Sequence, residues 1–329
     1  MKPPKTLLFF FAALLFGITT AFSQGGTTGP LTWEITGTAP NLTLTISGTG
    51  AMPNYTSGGA PWYAYRTDIK TIEIVTGVTG IGNYAFINCN NFNSISLPNV
   101  TSIGTYAFRY CSAMSSISFP NLTSMGGHAF RDCTSLTSIT IPAGVTTFND
   151  NVFNNCTSLN TVNFNATNLS TMSTGGSAYV TFIGCTALTT LNIGSNVTKI
   201  PEYAFYGCNL ITSSITMPSV TSIGSYAFCN CAKIPSITMS SGVTVINSGV
   251  FYGCALLPTI DLSNIITISD NAFRNCSALN SISFPNLKTI GNYAFRDCKS
   301  LTSITIPAGV TTFNDNVFNG CTSLHTVKF

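Results

Sequence analysis

The chain has 329 residues, of which 44% are apolar and only 7% charged, with a formal net charge of +3. The apolar content excludes an intrinsically disordered chain. Two of the positives, Lys2 and Lys5, lie in a leader-like segment, so the remainder is about neutral and carries no basic surface to steer nucleic acid or anionic lipid.

Residues 1–23 read as a secretory signal peptide. Lys2 and Lys5 form its charged start, Leu7 to Phe16 its apolar run, and Ala21-Phe22-Ser23 a small-x-small cleavage site. The apolar run is short for a membrane span. The expectation is an exported chain, secreted or at the cell surface, with no membrane insertion after cleavage. Residues 24–30 are Gly/Thr-rich and read as a tether. Residues 31–68 read as an N-terminal cap. Its core is a hairpin in which L-T-W-E-I-T and L-T-L-T-I-S alternate around a Gly/Pro/Asn turn. Both tryptophans, Trp33 and Trp62, lie here. Packing over the open end of the array is expected of them, with carbohydrate stacking as the alternative.

From residue 69 to residue 329 the chain repeats. A Phe stands three residues before a Cys at Phe86/Cys89, Phe108/Cys111, Phe130/Cys133, Phe153/Cys156, Phe182/Cys185, Phe205/Cys208, Phe228/Cys231, Phe251/Cys254, Phe273/Cys276, Phe295/Cys298 and Phe318/Cys321. The intervals are 22 or 23 residues, apart from one of 29. A fixed period of this size marks a solenoid of about 11–12 coils, in which each coil packs only on its neighbours. Twelve cysteines in an exported chain ordinarily suggest disulfides. Eleven of them share one repeat position, however, and parallel Cβ vectors oppose disulfide geometry. Buried free thiols are therefore expected. Cys229 stands outside that position and is the expected exposed thiol.

A typical unit runs L-x-x-I-x-I-P, then V-T-x-I-G, then Y-A-F-x-x-C. Ile139, Thr140 and Ile141 alternate as a strand with one buried face, and Pro142 ends it. Twelve such strands are expected in one parallel sheet. The Y-A-F-x-x-C segment is too short for an ordinary helix and reads as a turn or helical turn. Glycines such as Gly104, Gly224 and Gly291 suggest a tight bend. The long interval places an insertion at 165–181, with Tyr179 in it, and such insertions form loops on one face. Near Ile211 the strand is one residue longer than its neighbours, which suggests a bulge. Residues 128–164 and 293–329 match at 32 of 37 positions, so the array has grown by copying blocks. It stops at Phe329, on the last residue of a strand. Either a longer protein continues it, or a partner covers the last coil, since an uncovered edge invites aggregation.

The L-x-x-I-x-I-P / V-T-x-I-G-x-x-A-F-x-x-C unit, over residues 69 to 329, resembles the BspA-like (Treponema-type) leucine-rich repeat. The preceding L-T-I-S-G-T-G-A-M-P-N-Y…A-P-W-Y resembles the stretch that often precedes such repeats in bacterial surface proteins. The resemblance implies a mainly β, right-handed leucine-rich-repeat-like solenoid. It would have one long parallel sheet, short turns or helical turns on the other side, and an N-terminal β-hairpin cap. It also implies a secreted or surface-attached protein, since some relatives adhere to host matrix or plasma proteins.

Catalysis finds no support in the sequence. The two histidines, His128 and His325, sit at slots that hold Tyr and Asn in sister coils. No zinc-site spacing or phosphate loop is present, and no cofactor is implied. Arg109, Arg131, Arg274 and Arg296 share one slot and read as a solvated row, paired with Asp132 or Asp297 nearby. The outward positions of the sheet are Ser, Thr and Asn in nearly every coil. Ser138, Thr140, Thr161, Asn163, Thr190 and Asn192, with Tyr179 of the insertion, are the candidate binding residues for a protein or glycan, such as a host matrix protein. The alternative is a structural spacer that self-associates end to end without a dedicated ligand.

Overall fold

The structure is a computed structural model and describes residues 22–169, 172, 180–310 and 314–329. The expected leader lies outside the described residues, apart from Phe22 and Ser23.

Strand β1 (Phe22–Thr28) pairs antiparallel with β2 (Leu31–Thr38), and β2 pairs with β3 (Asn41–Gly48). Alternation decides the inward face: Leu31, Trp33, Ile35, Leu42, Leu44 and Ile46 are all buried. The tether reading of residues 24–30 is corrected, because Gln24 to Thr28 lie in β1. Glycine makes this edge strand possible. A Cβ at Gly25 would stand 2.8 Å from the Trp33 carbonyl oxygen. Thr28 and Tyr55 share a hydrogen bond between their hydroxyls, which ties the strand down. Strand β4 (Gly50–Ala51) follows β3, and β3 then pairs in parallel with β5 (Ile69–Ile74), so the hairpin runs straight into the repeat sheet. Trp62 is fully buried and Trp33 nearly so, which settles their role as packing. Trp33 and Tyr55 meet Trp62 edge-on, and the indole N–H donates to the Ala85 carbonyl at 2.7 Å.

Among the described residues, most coils contribute two short strands. The first row includes Ser94–Ser96, Ser116–Ser118, Ser138–Ile141, Thr161–Phe164 and Thr190–Ile193. Ile215–Met217, Ile237–Met239, Ser303–Thr305 and Thr326–Lys328 continue it. Between these, Thr259 and Ser281 make only an isolated parallel bridge. The row is one continuous face, but its ladder is interrupted. One break lies where the bulge was expected. Ser213 is inserted there, and the Leu191 N–H donates to its Oγ at 3.1 Å instead of to a strand carbonyl.

The second row was not expected. β6 (Val78–Ile81), Ser102–Ile103, Ser124–Met125 and Thr147–Phe148 pair in parallel beyond β4. Lys199–Ile200 with Ser222–Ile223, and Val245–Ile246 with Thr267–Ile268 and Thr289–Ile290, repeat the arrangement. Most of these strands are two residues long, too short for a period-2 pattern to announce itself. The glycines at the end of this row do not supply a left-handed bend. They allow close approach: a Cβ at Gly224 would lie 2.4 Å from the Glu202 nitrogen.

The Y-A-F-x-x-C segment is a run of tight turns rather than a helix. Its N–H groups alternate in direction. Ala85, Ile87 and Cys89 donate three residues back, while Tyr84, Phe86 and Asn88 donate to Thr105, Ala107 and Arg109 of the next coil. The alternation requires left-handed backbone at two positions. In the first of these coils they are Tyr84 (φ 57°) and Asn88 (φ 61°), and Tyr, His, Asn, Asp or Gly repeat there in later coils. In the first of these coils every N–H from Tyr84 to Cys89 thus finds a partner.

The ladder side chains stack along the array. Trp62, Phe86, Phe108, Phe130, Phe153, Phe182, Phe205, Phe228, Phe251, Phe273, Phe295 and Phe318 form one column, with successive centroids 5.2 to 6.1 Å apart. The ladder thiols are free, and nine of the eleven donate back to the Phe carbonyl of the preceding coil. Cys111 reaches Phe86 at 3.1 Å, and Cys298 reaches Phe273 at 3.2 Å. Cys229 is a correction: it is 4% exposed, seated among Tyr203, Tyr206, Tyr226 and Tyr252. Its small side chain lies below the rings of neighbouring coils, which the sequence slot alone does not reveal.

Burial pushes the thiols of Cys89, Cys185, Cys229 and Cys276 up to about 12. Below the ordinary thiol range both folded and unfolded states are neutral and stability is full. Above it the unfolded chain ionises and the folded one does not. Each fully buried thiol should then remove about 1.4 kcal/mol per pH unit, until the folded group also ionises. Urea midpoints followed by circular dichroism should hold steady from about pH 6 to 8 and fall steeply above about pH 9. A flat profile to about pH 11 would contradict thiol burial.

Candidate functional site

The six candidate residues on the first row form a grid of two columns over three coils. Ser138, Thr161 and Thr190 align in one register line, and Thr140, Asn163 and Asn192 in the next. Below them Ile139, Val162 and Leu191 are buried and fix the outward set by alternation. The second column is wired internally. The Asn192 amide donates to Asn163 Oδ1 at 2.8 Å, and the Asn163 amide donates to Thr140 Oγ1 at 3.2 Å. In the first column the Thr161 hydroxyl donates to Asn160 Oδ1 at 2.7 Å. Each bond orients its side chain and leaves the second amide hydrogen and the remaining lone pairs facing outward. The grid holds no titratable group, so it can bind by hydrogen bonding and contact but cannot move a proton.

The same uncharged character extends along the row. Ser94, Ser96, Ser116 and Ser118 line a shallow groove floored by Ile72, Ile95 and Ile117. Farther on, Ser236 donates to Ser214 at 2.7 Å. Asp261 is an exception: the Ser263 N–H that it accepts at 2.9 Å holds its carboxyl below the usual range.

Tyr179, the seventh candidate, lies outside the described residues, as do 170–171 and 173–178. The base of the insertion is anchored. Leu169, Met172, Val180 and Phe182 are buried, and the Thr181 hydroxyl donates to the Met172 carbonyl at 2.9 Å.

The sequence reading missed the aromatic character of the turn side. The left-handed slot stacks Tyr84 on Tyr106 at 5.0 Å, Tyr106 on His128 at 4.9 Å and Tyr203 on Tyr226 at 5.2 Å. His128 is half-buried, and burial, then Arg131 and Arg109, hold it below the ordinary imidazole range, so it stacks as a neutral ring. The arginine row makes the expected pairs with Asp132 and Asp297 and also lies over tyrosine rings. Arg109 lies over Tyr106 and Tyr110, Arg274 over Tyr252 and Tyr293, and Arg296 over Tyr293. Arg131 and Arg296 pair with Asp132 and Asp297 at 3.2 and 3.3 Å. The Tyr recurrence before Ala-Phe was the available signal, but a repeat pattern alone does not say which slots face outward.

The sequence profile of the BspA type leucine rich repeat region matches residues 60–179, 178–267 and 256–329, in six copies. Among solved structures, a leucine-rich repeat protein from Bacteroides ovatus is 25% identical, with 91% of this chain and 87% of that one covered, at a TM-score of 0.57. One from Eubacterium ventriosum is also 25% identical, covering 91% and 95%, at a TM-score of 0.42. A leucine rich cell surface protein from Faecalibacterium prausnitzii is 24% identical over 93% and 94%, at a TM-score of 0.33. No curated protein matches the chain. Among the described residues, no helix is long and apolar enough to cross a membrane.

The grid and the column should separate in stability. Asn163→Ala, on the surface, is expected to shift unfolding by less than about 1 kcal/mol. Phe130→Ala, in the middle of the stack, should cost about 3–5 kcal/mol. Chemical denaturation of the two variants measures both, and similar losses would place Asn163 in the core scaffold instead.

Proposed function

Because the chain belongs to the BspA-type leucine-rich repeat family, we propose that it is an exported, non-catalytic binding protein of adhesin type, secreted or held at the cell surface. Repeat proteins of this class act in general by binding rather than by catalysis. The observation that supports a binding role for this face is the pre-oriented column Thr140–Asn163–Asn192, whose amides are already fixed by 2.8 and 3.2 Å bonds. Fixed polar groups lose little freedom when a partner docks. Among the described residues the face also lacks aromatic anchors, the usual carriers of binding energy. Its contacts with a protein or glycan are therefore individually weak, and affinity comes from their repetition along the coils. The insertion at 165–181 is the alternative contact region.

Surface plasmon resonance of the purified chain over immobilised fibronectin and fibrinogen tests this reading. Saturable binding near the micromolar range is expected, weakened about tenfold by Asn163→Leu with Asn192→Leu. Absence of saturable binding to either matrix protein, together with concentration-dependent assembly in light scattering, would favour a self-associating spacer and overturn the adhesin reading.

A further inference from the structure

The slot directly after the ladder Phe holds Arg109, Arg131, Arg274 and Arg296 in four coils, but Tyr206, Cys229 and Tyr252 in three successive ones. Coils here are about 5 Å apart, as the 5.2 Å Tyr203–Tyr226 stack shows. Tyr206 and Tyr252 are therefore separated by about 10 Å, two strand spacings. Between them Cys229 ends at its sulfur, where an arginine would fill the space. The result is a pocket of about 420 Å³ lined by Tyr203, Tyr206, Tyr226, Cys229, Asn230 and Tyr252. It lies on the turn side of the coils, apart from the sheet-face grid.

We propose that this pocket is a carbohydrate-binding site, with a neutral sugar ring seated over Cys229 against the tyrosine rings. No lining residue is charged. Tyrosine offers an apolar face and a polar tip in one side chain, which matches a ring with C–H faces and a hydroxyl rim. Asn230 adds an amide. Its counterparts Asn88 and Asn275 donate to the hydroxyls of Tyr63 and Tyr252, at 3.4 and 3.2 Å. Among the described residues the Asn230 amide makes no such bond. An apolar peptide side chain would bury the Asn230 amide against a surface that offers it no hydrogen bond, which is unfavourable. A cation would meet Arg274, already 5.6 Å over the Tyr252 ring. The Cys229 thiol stays neutral, so the floor of the pocket attracts neither sign of charge. The width of two coil spacings suits a puckered ring in contact on both sides, whereas a flat aromatic ring would leave a gap.

The repeat supplies substitutions that the fold already tolerates. Tyr226 has φ +58°, and the same slot is filled by Asn271 (φ +56°) and Gly249 (φ +61°) elsewhere. Tyr226→Asn should therefore fold at least as stably as the parent. Cys229→Arg puts the residue of four sister coils into the pocket. Isothermal titration with cellohexaose, maltohexaose, xylohexaose and chitohexaose provides the probes. At least one is expected to bind with a Kd of about 0.1–1 mM. Both variants should weaken it about tenfold or more, with the melting temperature held or raised in Tyr226→Asn. Asn163→Leu on the sheet face should leave it unchanged, which separates this site from the adhesin surface. The proposal is overturned if no hexasaccharide binds up to about 10 mM, or if both variants bind as the parent does. It is also overturned if tetramethylammonium binds more tightly than any sugar and loses its affinity in Cys229→Arg.

Discussion

The column of aromatic rings sets the terms for everything else in this protein. From Trp62 to Phe318 each ring lies 5 to 6 Å from the next, the range of offset stacking. That distance also suits backbone hydrogen bonds between coils. The Phe carbonyl joins the two. It accepts the Cys N–H of its own coil and, through the Cys thiol of the following coil, a second bond. The Phe-x-x-Cys pair is thus one device, with the ring filling the core and the thiol capping the carbonyl beside it.

Close coil spacing has a price in backbone freedom, and the turn side bears it. Two left-handed residues per coil let alternate N–H groups point along the array. Asn, Asp and Gly accept that conformation readily, and Tyr does so less readily. Where Tyr is used, its ring stacks on the next coil or meets an arginine. The second strand row bears the other part. Its glycines sit where a methyl group would collide with the preceding backbone. Where Asn replaces Gly, as at Asn247 and Asn314, its amide donates to a carbonyl of the coil before, Ile223 or Ile290.

Stability built this way needs almost no charge. Burial and backbone pairing hold the coils, and among the described residues the ion pairs lie in the arginine row of the turn side. Two kinds of surface are then open to variation. The sheet face varies among Ser, Thr and Asn, and so tunes hydrogen bonding without altering the core. The turn side varies among Arg, Tyr and Cys, and so trades charge for aromatic area.

By itself, the sequence determined the repeat, the inward residues, the free thiols of the ladder and the cap hairpin. All of these follow from periods that a chain displays in one dimension. Phe130, Cys133, Leu136, Ile139 and Ile141 are buried as their spacing requires. Only the tertiary structure decided what depends on the next coil. The strand at Gln24–Thr28 needed β2 as its partner, because Gly and Thr alone read as flexible. The second row needed neighbours for strands two residues long. The wiring of Thr140, Asn163 and Asn192 needed their register, and the burial of Cys229 needed the tyrosines on either side. Periodicity within a coil is local and legible, whereas a contact between residues some 22 positions apart exists only once the coils have stacked.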